Sequence, residues 1–268
     1  MGTTATLEPS RSEIEVGTET TVILSLRNDS DIVEEYSIQV VGDPSDWARV
    51  DPPEVTVYPG QSTSAVVTLK PPRSSAVPAG EHPYAVHVQP AKRPENATVP
   101  EGLVELLPFY ETVAELSPQT AKGKGAEQYS VSVTNRGNTP VAVALAGKSA
   151  SDDLELTLGE SRHTIEPGAT WTSALRAEPT ERLWRGTPTA YPFTVMVSPE
   201  EGPDVPLAGT QYQESILPAW GLKGLLGLLV LAAAVALGVW TATAEDFPPW
   251  DLPSETNAPP EESAAPEE

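Results

Sequence analysis

The sequence predicts an all-β protein of two tandem β-sandwiches, followed by one transmembrane α-helix and a disordered acidic tail. Three observations support this prediction. Short runs alternate between apolar and polar residues with period two, anchor residues recur about 108 positions apart, and one run of 21 residues near the C-terminus carries no charge. Period-two alternation is typical of strands that bury one face, whereas a long uncharged apolar run is typical of a membrane span.

The first 218 residues contain an internal repeat. Asn28 recurs as Asn135, the turn pair Pro59-Gly60 recurs as Pro167-Gly168, and the run 83–88 recurs as 192–197. Near-constant spacing of several anchors indicates repeated structural units. The repeat predicts two units, residues 1–108 and residues 109–218, which divide near Pro108.

The pattern of each unit predicts short β-strands that end at turn residues. Residues 21–26 and 36–40 alternate in the first unit, and residues 129–133 and 141–145 alternate in the second. About seven such strands in about 100 residues, with a turn every 8–12 residues, are typical of an immunoglobulin-like sandwich. Neither unit shows helical periodicity.

An ordered set of motifs in the first unit carries a family resemblance. It consists of Asn28, the stretch Trp47, Val50 and Pro52, the Pro59-Gly60 turn, and then Pro-Pro-Arg and Ala-Gly before a Val-rich strand. The set resembles the Ig-like modules of bacterial and archaeal surface and membrane proteins, including the type that accompanies some alpha-galactosidases. The second unit lacks the tryptophan stretch and has Thr-Glu-Arg where Pro-Pro-Arg would fall. The resemblance implies a spacer or binding platform and no catalysis.

Composition and charge exclude several classes of protein. The 268 residues include 16 Lys and Arg against 38 Asp and Glu, which gives a formal net charge of -22 and excludes nucleic-acid binding through a basic surface. Without Cys there is no disulfide, thiolate metal site or cysteine nucleophile. The tail, residues 245–268, combines eight acids with six prolines and no base, so we expect it to be disordered.

The uncharged run Gly224–Ala244 lies within the predicted membrane segment, residues 219–244. As a helix it would span roughly 31 Å, close to the hydrocarbon thickness of a bilayer. We predict that three residues lie at the membrane interfaces, namely Trp220, Lys223 and Trp240. Ala234 and Gly238 form one small-xxx-small pair, which suggests a weak homodimer contact between two such helices.

The predicted orientation places the N-terminal domains in the cytoplasm and the tail outside the cell. The N-terminus shows no basic start followed by an apolar run, as a secretory signal would. Lys223 is the only base within twenty residues of either end of the apolar run, and it lies on the N-terminal side. We therefore expect a single-pass protein of the cell membrane.

The sequence contains no catalytic motif, and we expect neither a catalytic residue, nor a metal, nor a cofactor. His82 and His87 would point to opposite faces of one strand, so they could not share a metal ion. His163 stands alone in a turn-rich stretch. The adjacent acid pairs at 152–153 and 200–201 offer at most a weak Ca²⁺ site.

The most promising contact surface is Trp184, which is bracketed by Arg182 and Arg185 in a loop. An exposed tryptophan flanked by arginines is typical of an interface anchor, which favours binding of a protein partner. Two alternatives remain open: Trp184 folds back onto its own sandwich, or it meets anionic headgroups, because almost no stalk separates the second unit from the apolar run.

Three functions fit these features. The first is a non-catalytic membrane adaptor whose two domains bind a protein partner, which could be a large cytoplasmic assembly, and hold it at the membrane. The second is an extracellular spacer or carbohydrate-binding protein of the opposite topology. The third, an accessory subunit of an envelope hydrolase, is weakest because the two repeats leave no room for a catalytic domain.

Overall fold

The computed structural model describes residues 2–217, 227–237 and 239. The chain divides into two compact units: Met1–Ile216, which contains every strand of the described residues, and Leu217–Glu268, in which residues 227–237 and 239 are helical. The all-β prediction is therefore confirmed for the first unit, which folds as two successive β-sandwiches.

The first sandwich consists of nine strands and two short 3-10 turns, where about seven strands were expected. The strands are β1 (Thr3–Glu8), β2 (Arg11–Ile14), β3 (Thr20–Asn28), β4 (Glu34–Gly42), β5 (Ala48–Asp51), β6 (Glu54–Val57), β7 (Ser62–Leu69), β8 (Gly80–Pro90) and β9 (Glu101–Leu106). The 3-10 turns are Asp43–Trp47 and Pro94–Asn96.

The second sandwich repeats the same nine strands in the same order. They are β10 (Thr112–Ser117), β11 (Thr120–Gly123), β12 (Glu127–Asn135), β13 (Val141–Ser149), β14 (Leu154–Leu158), β15 (Arg162–Ile165), β16 (Thr170–Pro179), β17 (Thr189–Pro199) and β18 (Val205–Gln213).

Each sandwich has the sheet order of an immunoglobulin-like domain. The first pairs a sheet β1-β3-β7-β5 with a sheet β2-β9-β8-β4-β6, and the second pairs β10-β12-β16-β14 with β11-β18-β17-β13-β15. The neighbours are antiparallel except that β2 runs parallel to β9 and β11 parallel to β18. The order matches the ABED and GFC sheets of an Ig sandwich, with one additional strand at each edge of the second sheet.

Alternation along the strands builds a separate apolar core in each sandwich. In β3, the residues Val22, Leu24 and Leu26 are buried and the residues between them face solvent. Burial of each such side chain contributes about 1.5–3 kcal/mol relative to exposure. The second core is formed in the same way, with Val131 and Val133 of β12 fully buried.

The recurrent asparagines are the hydrogen-bonding centres of the two repeats. Asn28 is fully buried, and its Nδ2 donates to the carbonyl oxygens of Ile32 and Val57, both at 2.9 Å. The Asn28 carbonyl accepts from Gly60 N at 2.8 Å, so the asparagine also holds the Pro-Gly turn.

Asn135 makes the same set of bonds one repeat later. Its Nδ2 donates to Thr139 O at 2.8 Å and Ile165 O at 2.9 Å, and its carbonyl accepts from Gly168 N at 2.8 Å. Because these bonds join a strand end to two separate turns, they explain why asparagine and the Pro-Gly pair recur together.

A second feature that both sandwiches share is a glycine paired with an aromatic residue on the neighbouring strand. Gly102 pairs with Tyr84 across β8 and β9, and Gly209 pairs with Phe193 across β17 and β18. A Cβ atom built on either glycine would approach the facing ring to 2.4 Å. The missing side chain therefore leaves the space that each ring occupies.

Residues 107–111 form the linker between the two sandwiches, and Asn138 of the second sandwich holds this linker in place. Asn138 is 1% exposed; its Oδ1 accepts from Phe109 N at 2.8 Å, and its Nδ2 donates to Leu107 O at 3.2 Å. Its carbonyl accepts from Ala79 N of the first sandwich at 2.9 Å. One asparagine thus ties the loop after β7 and the linker to the second sandwich.

Most of the predicted membrane segment lies outside the described residues. This holds for Trp220, Lys223, Gly238 and Trp240, and also for the acidic tail 245–268. Ala234 lies in the helical stretch 227–237. Within the described ranges, no helix is both long enough and apolar enough to cross a membrane.

Candidate functional site

The loop between β16 and β17, residues 180–188, carries the predicted contact residues. Trp184 is 61% exposed, and Arg182 and Arg185 are exposed as well. Among the ion pairs of residues 2–217, none includes either arginine. The indole is therefore not folded back into its own sandwich, and the loop displays one large aromatic ring beside two unpaired cations.

Buried polar residues of the last strand support this loop, which we call the Trp184 loop. Gln213 is 2% exposed, and its Nε2 donates to Glu181 O at 2.7 Å while its Oε1 accepts from Tyr191 Oη at 3.2 Å. Ile216 N donates to Leu183 O at 2.9 Å. Two carbonyls of the loop are thus held by the chain segment that leaves the sandwich.

Gln213 was not found from the sequence. Its side chain points inward, as does that of Gln211, whose Nε2 donates to Gly125 O at 2.7 Å. Two glutamines at the buried positions of a strand conflict with the expected apolar alternation. That conflict is the signal by which the support of the loop could have been recognised.

Further bases lie at the same end of the second sandwich. Lys122 and Lys124 are exposed at the end of β11, which pairs with β18, and Lys124 Nζ donates to Ile216 O at 3.5 Å. Acidic residues are present as well: Glu181 and Glu214 are exposed near the same strand ends. Asp152 and Asp153 adjoin Thr180 through their backbone carbonyls, which accept hydrogen bonds at 3.0 and 2.8 Å.

The equivalent loop of the first sandwich, residues 70–79, has a different environment. Arg73 occupies the position of Arg182, and its guanidinium lies 4.4 Å from the centroid of the Phe109 ring and 3.6 Å from Glu111 Oε2. The loop after β7 therefore packs against the part of the chain that follows its sandwich.

A second cluster surrounds His163, which was expected to stand alone in a turn-rich stretch. Its ring stacks on Trp171 at a centroid distance of 5.1 Å, and Glu160 bonds both rings, to His163 Nδ1 at 3.1 Å and to Trp171 Nε1 at 3.3 Å. The rings come from β15 and β16, which lie in different sheets. No pattern in the sequence indicated this contact.

A shallow groove of about 620 Å³ adjoins this cluster on the face of β13 and β15. Its lining includes Ala142, Ala144, Arg162, Ser198 and Glu200. Its mixed charge and open shape favour no one ligand.

The remaining candidate residues, Trp47, His82 and His87, lie within the first sandwich. Trp47 packs against the first core as expected, with its ring 6.4 Å from the ring of His82. His82 is buried and bonds Pro78 O at 2.8 Å, whereas His87 lies on the opposite face of β8, as the spacing predicts. Within residues 2–217, no group of three or more His, Asp or Glu side chains has the geometry of a metal site.

Comparisons with known proteins identify no family. No family model matches the chain, and no curated protein matches it. Many solved structures align at low similarity. A protein of unknown function from Porphyromonas gingivalis W83 is 16% identical, with a TM-score of 0.29 over 78% of this chain and 99% of that one.

Two further structures illustrate the range of these alignments. The D00-D0 domain of intimin is 10% identical, with a TM-score of 0.35 over 79% of this chain and 100% of its own. The YadV chaperone is 13% identical, with a TM-score of 0.28 over 79% and 100%. These scores are too low to carry an argument, so the fold assignment depends on the sheet topology described above.

Proposed function

We propose that this chain is a non-catalytic, single-pass membrane adaptor whose tandem Ig-like sandwiches bind a protein partner and hold it at the membrane. The observation that carries the proposal is the compact unit ending at Ile216, which is followed at Gly224 by an uncharged apolar run. A folded body joined to such a run by a short segment is suited to hold a partner near a bilayer.

The finer parts of the proposal come from the sequence. The membrane segment is residues 219–244, with the sandwiches on the cytoplasmic side, and Ala234 with Gly238 offers a weak homodimer contact. The resemblance to tandem Ig-like modules of bacterial and archaeal membrane proteins supports a platform without catalysis. The sequence also predicts that Arg182, Trp184 and Arg185 contact the protein partner.

A fractionation and pull-down experiment tests the adaptor function. We expect the affinity-tagged full chain in the membrane fraction, together with a co-purifying protein. Leu229→Arg with Val235→Arg should move both to the soluble fraction, because a charge at the centre of a span costs about 3 kcal/mol or more. Leu229→Ile with Val235→Ile is the matched control and should change nothing.

Two outcomes would contradict the adaptor function. Recovery of the wild-type chain in the soluble fraction would remove the membrane anchor. Retention at the membrane without any specific partner, together with binding of envelope glycans, would favour the extracellular carbohydrate-binding alternative.

A further inference from the structure

The repeat shows what the loop after the seventh strand of each sandwich does. In the first sandwich this loop contacts the following part of the chain: Arg73 lies over the Phe109 ring, and Ala79 N donates to Asn138 O at 2.9 Å. The contact is therefore made in the direction in which the chain leaves the sandwich.

The Trp184 loop occupies the equivalent position in the second sandwich, which is followed in the sequence by the uncharged apolar run 224–244. Leu183 O accepts from Ile216 N at 2.9 Å, so the loop lies beside the residue at which the compact unit ends. Residues 217–223 then precede the apolar run, and seven residues extend at most about 25 Å. A bilayer that contains this run lies within reach of the loop.

We propose that the Trp184 loop docks on the anionic headgroup layer of the membrane that holds residues 219–244; the inference rests on the proposed membrane anchoring. The indole of Trp184 enters the interfacial region, while the guanidinium groups of Arg182 and Arg185 bind lipid phosphates. Amphipathic aromatic rings favour this layer, and each base near an anionic leaflet is attracted to it.

The composition of the loop fits this occupant. Arg182 and Arg185 are exposed and enter no ion pair with residues 2–217, although the whole chain has a net charge of -22. Lys122 and Lys124 add two exposed bases at the same end, while the exposed acids Glu181, Glu214, Asp152 and Asp153 oppose them. A phosphate layer offers many equivalent partners to the two exposed guanidinium groups, whereas the acidic remainder of the surface is repelled.

This assignment differs from the protein contact predicted for the same residues from the sequence. The position of the loop favours the membrane, because Gln213 and Ile216 hold it where the chain leaves the second sandwich. The protein partner is then held by other surfaces of the two sandwiches.

Site-specific labelling of the full chain tests the inference, since the chain has no cysteine of its own. A spin label is attached at Thr187→Cys, beside Trp184, or at Tyr58→Cys in the first sandwich, where the native residue is 65% exposed. The protein is reconstituted in phosphatidylcholine vesicles with or without phosphatidylglycerol, and the accessibility of the label to an aqueous relaxation agent is measured.

We expect the label at position 187 to be protected in vesicles that contain phosphatidylglycerol and exposed in pure phosphatidylcholine, while the label at position 58 stays exposed in both. Arg182→Ala and Arg185→Ala should each lower the ratio of docked to undocked loop by about fivefold. High salt should weaken the protection, because it screens these charges.

Carbonate extraction of the same vesicles separates the two proposals. If the chain is extracted, the membrane anchor fails and the inference fails with it. If the chain is retained but the label at position 187 stays exposed with phosphatidylglycerol, the inference alone is overturned. Protection that appears only when the co-purifying protein is added would overturn it in favour of the protein contact.

Discussion

The loop after β7 and the loop after β16 occupy equivalent positions and have different surroundings. In the first, Arg73 lies against Phe109 and Glu111 of the linker, and the loop packs on the next sandwich. In the second, Trp184 and its two arginines are exposed. The repeated strands form the same β-sandwich twice. The two loops differ because each one faces a different part of its surroundings. Residues that differ between repeats are therefore the more informative about function.

Each sandwich depends on one buried asparagine, Asn28 or Asn135. A charge introduced at either position is expected to reduce the stability of the protein more than any other change considered. Asn28→Asp and Asn135→Asp should each lower the free energy of unfolding by about 3 kcal/mol or more, because a buried carboxylate would face two carbonyl oxygens and could donate to neither. Urea unfolding followed by circular dichroism measures the loss.

Gln61→Glu introduces the same charge at an exposed turn position and serves as the control. A similar loss at both asparagines supports a shared frame. If one sandwich tolerated the substitution, the two repeats would not depend on the same bonds.

The glycines that face aromatic rings give the next largest effect. Gly102→Ala and Gly209→Ala should each destabilise the chain by about 1–3 kcal/mol, since the new methyl group forces the Tyr84 or Phe193 ring to move. Gly209→Ala should cost more, because Leu116 Cδ2 also lies only 2.8 Å from the added carbon. Thermal unfolding measures both losses.

Gly125→Ala is the matched control, because no atom lies within 4 Å of the added carbon and the residue needs no positive φ. Its unfolding temperature should stay close to that of the wild type. Equal destabilisation by all three alanines would refute the steric explanation.

Substitution of the two equivalent arginines, Arg73 and Arg182, distinguishes the roles of the two loops. Arg73→Ala should lower the free energy of unfolding by about 1 kcal/mol, because it removes the contact with the Phe109 ring and the ion pair with Glu111. Arg182→Ala should leave it unchanged, since its exposed guanidinium forms no ion pair with residues 2–217. Urea unfolding of both variants in detergent checks the difference; equal losses would mean that both loops have a structural role.

Two buried tyrosines give the smallest effect. Tyr129 Oη donates to Thr210 O at 3.2 Å, whereas the buried hydroxyl of Tyr84 bonds no atom of the described residues. Tyr129→Phe should therefore cost about 1 kcal/mol and Tyr84→Phe nothing. Denaturation at neutral pH compares the variants, and the opposite ranking would contradict this reading of the two hydroxyls.

Burial raises the pKa of both phenols above the ordinary value. Because the unfolded chain then ionises first, the stability that these groups contribute is complete below about pH 10 and is lost as the pH rises further. Tyr84→Phe should reduce this alkaline loss.

Much of the frame follows from the sequence, because its anchors have local causes. Asn28, Asn135 and the Pro-Gly turns recur since each strand end needs the same bonds. The four-residue strands β2 and β5 were missed because short edge strands show little alternation. The contacts of Asn138, Gln213 and the His163 ring were also missed, since their partners lie far away in the sequence or in another sheet.

The orientation of the two sandwiches relative to the membrane tests the adaptor function most directly. Cells expressing the full chain with Tyr58→Cys are treated with a membrane-impermeant maleimide, before and after permeabilisation. If the sandwiches face the cytoplasm, position 58 is labelled only after permeabilisation. Labelling in intact cells would contradict the cytoplasmic adaptor and would place the sandwiches outside the cell.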